Sequence, residues 1–214
     1  MSVKTAIPLS EQQHLVLDGM SWGFYDRLLE DIGDRPIRVT FDKGSIEIMP
    51  PLPEHEWVKE AIGALLDVMT VERGITMARF GSTTFRRPDL ERGLEPDKCY
   101  YLRNAHLVRG MREFDPAIHP APDLAIEVDI THRSIAREPI YAALGVPELW
   151  RFDGQHLSVL VLNDQRAYDR REASMAFPFL PMKQFEAFLL RMGREDQNTV
   201  LREFRQWSAS VPVV

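Results

Sequence analysis

Residues 121–131 read APDLAIEVDIT and carry the strongest β-strand pattern in the chain. Successive side chains of a strand point to opposite faces, so every second residue shares a face. One face of this segment is wholly apolar: Leu124, Ile126, Val128 and Ile130. The other face carries three carboxylates and one alanine: Asp123, Ala125, Glu127 and Asp129. The pattern predicts a strand whose apolar face lies in a core and whose acidic face is available for a site.

The three carboxylates on the acidic face favour a bound cation. Same-face neighbours on a strand lie roughly 6.5–7 Å apart, and carboxylates that close raise each other's pKa when they are shielded from water. A hard divalent ion such as Mg²⁺ prefers carboxylate oxygens and keeps several waters. The alternative is that alternating charge marks the solvent face of a half-buried sheet. The acidic face contains no Lys, Arg or Thr, which favours the metal site.

Two further acids and one base are candidate site residues. Asp97 lies in a second predicted strand and would complete the metal shell if that strand runs beside Glu127. Glu47 is flanked by two isoleucines in a predicted hairpin and is either a site residue or an exposed hairpin residue. Arg137 begins the next predicted helix. It either turns back to stabilise phosphoryl charge or lies on the surface.

The remaining pattern predicts a mixture of helices and strands. Helices are expected at 15–17, around Trp22 to Leu29, at 53–73, at 136–144, and in two C-terminal segments within 180–210. Strands are expected in a hairpin at 36–49, near 75–80, 83–86 and 95–102, and at 124–130, 146–152 and 156–162. The segment 104–121 is expected to be irregular.

Length and composition limit the classes of protein. The chain has 214 residues, 44% of them hydrophobic and 27% charged, which is typical of one globular domain spanning 1–214. Its 26 basic and 32 acidic residues give a formal charge of −6, so bulk charge alone would not hold nucleic acid. Cys99 is the only cysteine, which excludes an intramolecular disulfide. The sequence lacks a signal-type N-terminal stretch and an apolar run of the roughly 20 residues that a membrane helix needs, so a cytoplasmic location without membrane contact is expected.

Four segments in this order resemble the Uma-type restriction-endonuclease family. They read IEIMPPLPEH (46–55), PD (96–97), PDLAIEV (122–128) and YAALGVPELW (141–150). The resemblance covers about residues 20–165, with a C-terminal helical extension at 180–210. It implies an α/β fold of the PD-(D/E)xK nuclease type, in which a restriction-endonuclease-like mixed β-sheet is flanked by α-helices.

The resemblance also implies a site for phosphodiester cleavage with Mg²⁺ or Mn²⁺. The family acids match Glu47, Asp97, Asp123 and Glu127, and a family histidine matches His55. The lysine of the general nuclease motif falls at Asp129, which is an acid here. A lysine that many members carry on the next helix falls at Arg137. This exchange keeps the positive charge but cannot supply a base.

The predicted function is a Mg²⁺-dependent endonuclease that hydrolyses DNA. Its predicted catalytic residues are Asp97, Glu127, Asp129, Arg137 and Glu47. The predicted metal ligands are Asp97, Glu127 and Asp129; Arg137 would contact substrate, and Asp123 and His55 would support the site. Arg86, Arg87, Arg109 and Arg112 either contact DNA phosphates or are ordinary surface residues.

Two alternatives concern activity, and one expectation concerns assembly. The exchanges at positions 129 and 137 also suit a catalytically degenerate nuclease fold that binds DNA or a protein without cleaving it. The acidic net charge suits a hydrolase for a small phosphate ester. Nucleases of this fold often pair, so a homodimer is expected.

Overall fold

The computed structural model describes residues 15–50, 53–81, 83–130 and 134–212. The helices in these ranges are α1 (Trp22–Ile32), α2 (Pro53–Glu72), α3 (Glu138–Leu144), α4 (Met182–Met192) and α5 (Gln197–Ser210). The strands are β1 (Leu15–Leu17), β2 (Arg38–Asp42), β3 (Ser45–Met49), β4 (Ala78–Phe80), β5 (Phe85–Arg87), β6 (Arg92–Leu94), β7 (Lys98–Tyr101), β8 (Leu124–Val128), β9 (Glu148–Phe152), β10 (Leu157–Leu162) and β11 (Tyr168–Arg171). None of the described helices is long and apolar enough to cross a membrane.

The larger sheet has the strand order β11-β10-β9-β8-β7-β4. All of its pairs are antiparallel except β8 with β9, which are parallel. Parallel neighbours need a crossover connection, and α3 lies in the segment that joins these two strands. The expected mixed sheet flanked by helices is confirmed.

The two faces of β8 pack against different helices. Its apolar face joins the main core, where Leu124, Ile126 and Val128 meet residues of α2, α4 and α5. On the opposite face, Ala125 packs with residues of α3. The alternation predicted for this strand is therefore confirmed, and its second face is also largely buried.

The smaller sheet has the order β1-β3-β2-β6-β5. The predicted hairpin forms its centre, with a turn at Lys43 and Gly44, whose φ values are 48° and 96°. Two successive residues with positive φ are typical of tight hairpin turns. Gly93 in β6 is also required, because a Cβ there would lie 2.4 Å from the Tyr25 hydroxyl.

The prediction of a helix at 15–17 is wrong, since these residues form β1 and pair with β3. A short apolar run has no diagnostic periodicity, and the exposed edge of β3 decides its conformation. The predicted strand near 95–102 is confined to β7, and a 3₁₀ helix at Ala105–Val108 lies in the segment expected to be irregular. The strands β6 and β11 have no counterpart in the sequence prediction.

A buried carboxylate holds the segment before α4 against the larger sheet. Glu148, in β9, is 1% exposed. It accepts hydrogen bonds from the Trp150 indole at 2.5 Å, the Ser174 hydroxyl at 2.6 Å and the Met175 and Ala176 amides at 2.6 and 2.8 Å. The charge is stabilised by these four donors.

We expect Glu148→Ala to lower the free energy of unfolding by about 3 kcal/mol, because it leaves buried donors without an acceptor. Chemical denaturation with circular dichroism measures the change. Glu172→Ala, at an exposed position of the same region, is the matched control and is expected to have little effect. Equal stabilities of the two variants would contradict the role given to Glu148.

Candidate functional site

Two predicted site acids lie beside each other: Glu127 is in β8, and Asp97 immediately precedes the neighbouring strand β7. The antiparallel register of β7 and β8 pairs Lys98 with Ile126, and one further step along this register sets Asp97 opposite Glu127. Asp97 is 1% exposed and Glu127 is 3% exposed. Asp97 Oδ2 also accepts a hydrogen bond of 2.6 Å from the backbone amide of Val128. The fold therefore brings together two acids that are 30 residues apart in the chain.

The start of α3 supplies the partners of Glu127. Arg137 Nη1 lies 2.9 Å from Oε1 and 3.0 Å from Oε2 of Glu127, and it donates to the Glu95 carbonyl at 3.1 Å. The Tyr141 hydroxyl donates to Oε1 of the same carboxylate. Residues four apart in a helix lie on one face, which explains why both donors reach Glu127.

Arg38 is the partner of Asp97. Its Nη1 forms an ion pair with Asp97 Oδ1, and its Nη2 donates to Glu56 Oε1 at 2.9 Å. Burial lowers the pKa of Arg38 below its ordinary value, although Glu127 and other carboxylates oppose this shift. Burial raises the pKa of Glu56, but the hydrogen bond from Lys59 and the positive charges of Lys59 and Arg38 outweigh it and leave this pKa below its ordinary value.

Glu47 reaches the same region from β3 of the smaller sheet. It is 1% exposed, and its Oε1 accepts a hydrogen bond of 2.7 Å from the Ser134 amide. Burial lowers the pKa of Arg137, but the negative charges of Glu127 and Glu47 and the hydrogen bond to Glu127 raise it above its ordinary value overall. Arg137 therefore stays cationic.

The other predicted site residues have different surroundings. Asp129 lies just beyond β8 and lines the same cavity as Glu127. Asp123, roughly 13 Å from Glu127 along the strand, accepts hydrogen bonds from the Leu102 and Arg103 amides at 2.7 and 3.0 Å. It fixes the loop after β7, at the far end of β8. His55 is 5% exposed in the first turn of α2.

A cavity of about 210 Å³ lies beside this cluster. Its charged lining consists of Glu127, Asp129, Arg137, Glu138 and Arg151. Within the described ranges, no three His, Cys, Asp or Glu side chains are grouped so that they could hold a metal ion. Two carboxylates with waters and a substrate phosphate suit Mg²⁺ chemically. In this arrangement, however, each carboxylate of the pair has an arginine on its oxygens, so the described residues do not fit a divalent ion as they stand.

Comparison with family models matches residues 22–189 to Uma2, described as "Putative restriction endonuclease". The chain belongs to the Uma2 family. The match supports a nuclease function for this Uma2 protein. Comparison with curated proteins finds no significant match.

The solved structures that resemble this Uma2 protein include one from a cyanobacterium. It is described as a putative nuclease belonging to DUF820 from Anabaena variabilis ATCC 29413, with 16% identity and a TM-score of 0.49. The similarity covers 77% of this chain and 97% of that chain.

Sequence reasoning missed Arg38 and Tyr141. Arg38 has only the alternation of a hairpin strand, which is typical of a solvent-facing residue and gives no sign of a partner at Asp97. Tyr141 had a usable signal, since it lies four residues after Arg137, which caps the start of α3 with helical φ and ψ. That spacing places both side chains on one face.

The arginines considered for DNA contact are dispersed. Arg86 and Arg112 line one cleft of about 280 Å³, which also contains Glu30 and Glu113. Arg86 lies 3.7 Å from a carboxylate oxygen of Asp26. Arg87 makes hydrogen bonds of 2.8 and 2.6 Å to Asp89, and Arg109 is exposed. A role for any of them in DNA binding stays a prediction.

We expect Tyr141→Phe to lower the free energy of unfolding by about 2 kcal/mol, because the Glu127 carboxylate loses a buried donor. Tyr25→Phe is the matched control. Tyr25 is 0% exposed, and among the described residues its hydroxyl has no hydrogen-bond partner. Removing that hydroxyl should leave stability unchanged or higher, as measured by chemical denaturation. A larger loss in Tyr25→Phe than in Tyr141→Phe would contradict this account of the site.

Proposed function

We propose that this Uma2 protein is an endonuclease that hydrolyses DNA phosphodiester bonds, with the Mg²⁺ or Mn²⁺ that the family resemblance implies. The observation that supports it best is a pair of buried acids, Glu127 in β8 and Asp97 just before β7, next to Arg137 and a cavity. Buried charges that converge beside a cavity are typical of functional sites.

Arg137 is the proposed contact for the scissile phosphate. Attack on a phosphodiester increases negative charge on the phosphoryl oxygens, and a preorganised cation stabilises that charge. Arg137 lines the cavity, and its Nε has no hydrogen-bond partner among the described residues. Because this Nε is also buried, its contact with a phosphate oxygen requires the Arg137 side chain to turn into the cavity.

The acids have the proposed roles of orienting water and holding the divalent ion. Glu127 and Asp129 line the cavity, and a carboxylate within reach of water can accept its proton. Asp97, Glu127 and Asp129 are the proposed metal ligands, Glu47 is a proposed orienting residue, and His55 is proposed to support the site. Asp123 does not support the site directly, because it binds the Leu102 and Arg103 amides at the far end of β8. In the metal-free arrangement, guanidinium groups hold the carboxylates of Asp97 and Glu127.

A second candidate function is a binding module that has lost catalysis. Its specific support is that Glu127 is held by both Arg137 and Tyr141. An arginine at the family's lysine position cannot act as a base. Such a protein would bind DNA or a partner protein without cleaving it.

Domain organisation and assembly are further proposals. We propose that the described ranges of the chain form one domain, since residues of α5 pack in the same core as α2 and β8. Residues 1–14 and 213–214 of the expected domain 1–214 lie outside the described residues. A homodimer stays the expected assembly, because cleavage of both DNA strands needs two sites, and sedimentation measures it.

We expect Glu127→Gln and Asp97→Asn each to reduce the rate of plasmid nicking with Mg²⁺ or Mn²⁺ by at least about a hundredfold. These substitutions remove one charge and nearly preserve side-chain size. EDTA should stop nicking by the wild type, and Glu172→Gln is the control at an exposed position. The readout is conversion of supercoiled to open-circular plasmid.

Two results would count against the endonuclease. Nicking that is equal in wild type and Asp97→Asn would mean that the site is not responsible. A wild type that retards DNA in a gel but never nicks it would favour the binding module.

A further inference from the structure

The two acids of the candidate site already have cations on their oxygens. Arg137 Nη1 lies within 3.0 Å of both carboxylate oxygens of Glu127, and Arg38 pairs with Oδ1 of Asp97. The second oxygen of Asp97 accepts from a backbone amide. These are the oxygens that a divalent ion would need.

Charge pairing at the two acids points the same way. Glu127 has Arg137 on both carboxylate oxygens, and Asp97 has Arg38 on one. A divalent ion that approaches either carboxylate must displace a guanidinium group as well as lose its own water, and this desolvation is unfavourable.

We propose that Arg137 and a divalent ion compete for Glu127, so that the arginine keeps the site of the free protein closed to metal. This inference rests on the proposed function, since it concerns the same site. Arg137 is the group that would move, because it lines the cavity and has space there. Arg38 bridges Asp97 and Glu56 and is not one of the residues that line this cavity.

The competition has a direct consequence for affinity. Two ligands that exclude each other at one site are negatively coupled, and removing one raises the affinity for the other. Arg137 is thus a positioning residue that holds the Glu127 carboxylate and limits metal binding. Loss of its charge should improve metal affinity even where it impairs hydrolysis.

The test is Mn²⁺ binding to the whole chain without DNA, measured by the electron paramagnetic resonance signal of free Mn²⁺. Arg137→Gln should bind Mn²⁺ about tenfold or more tightly than wild type. Arg137→Lys, which keeps the charge, should stay near wild type. Arg151→Gln is the matched control, because Arg151 lines the same cavity but pairs with Glu138 at 2.6 Å. The double variant Glu127→Gln/Arg137→Gln should lose the increased Mn²⁺ affinity of Arg137→Gln.

If Arg137→Gln does not fold, the Mn²⁺ affinity of the wild type still tests the proposal. Submillimolar Mn²⁺ binding by the wild type that Glu127→Gln abolishes would overturn the proposal, while leaving the metal-dependent nuclease intact. Equal affinity in wild type and a folded Arg137→Gln would overturn it too. Plasmid nicking is measured separately. Absence of nicking would count against the nuclease proposal, whereas the Mn²⁺ affinities test only the competition between Arg137 and the ion.

Discussion

The pairing of β7 with β8 is the constraint on which the site depends, because it buries Asp97 beside Glu127. An isolated ionised carboxylate is very unfavourable in a protein interior, so buried charges need partners. The structure provides one arginine for each acid. Removing either partner of such a pair is strongly destabilising. The positions of Arg38 and Arg137 are therefore as constrained as those of the acids.

This requirement for partners also connects the two sheets. Arg38 belongs to β2 of the smaller sheet, whereas Asp97 immediately precedes β7 of the larger one. Glu47 of β3 contacts the Ser134 amide before α3. The candidate site thus lies where both sheets and the start of α3 meet. Relative movement of the sheets would change the charge environment of Glu127.

Family membership and the local geometry of the site point in different directions on metal binding, and the two ion pairs are the reason. Membership in Uma2 supports a nuclease function, and two opposed carboxylates are suitable donors for Mg²⁺. Their guanidinium partners stabilise the metal-free protein instead. Family membership supports the class of chemistry, which is a nuclease reaction. The side-chain contacts show that, before substrate binds, arginines occupy the carboxylates of Asp97 and Glu127.

The sequence alone determined those features that depend on local periodicity. The hairpin, α2 and the alternation of β8 follow from residues within a few positions of one another, and so does the choice of Glu127 as a candidate. The tertiary structure decided which distant groups meet: Arg38 with Asp97, β1 with the edge of β3, and Asp123 with the loop after β7 instead of Glu127. These contacts depend on strand order and packing, and no local pattern encodes them because the partners are tens of residues apart in the chain.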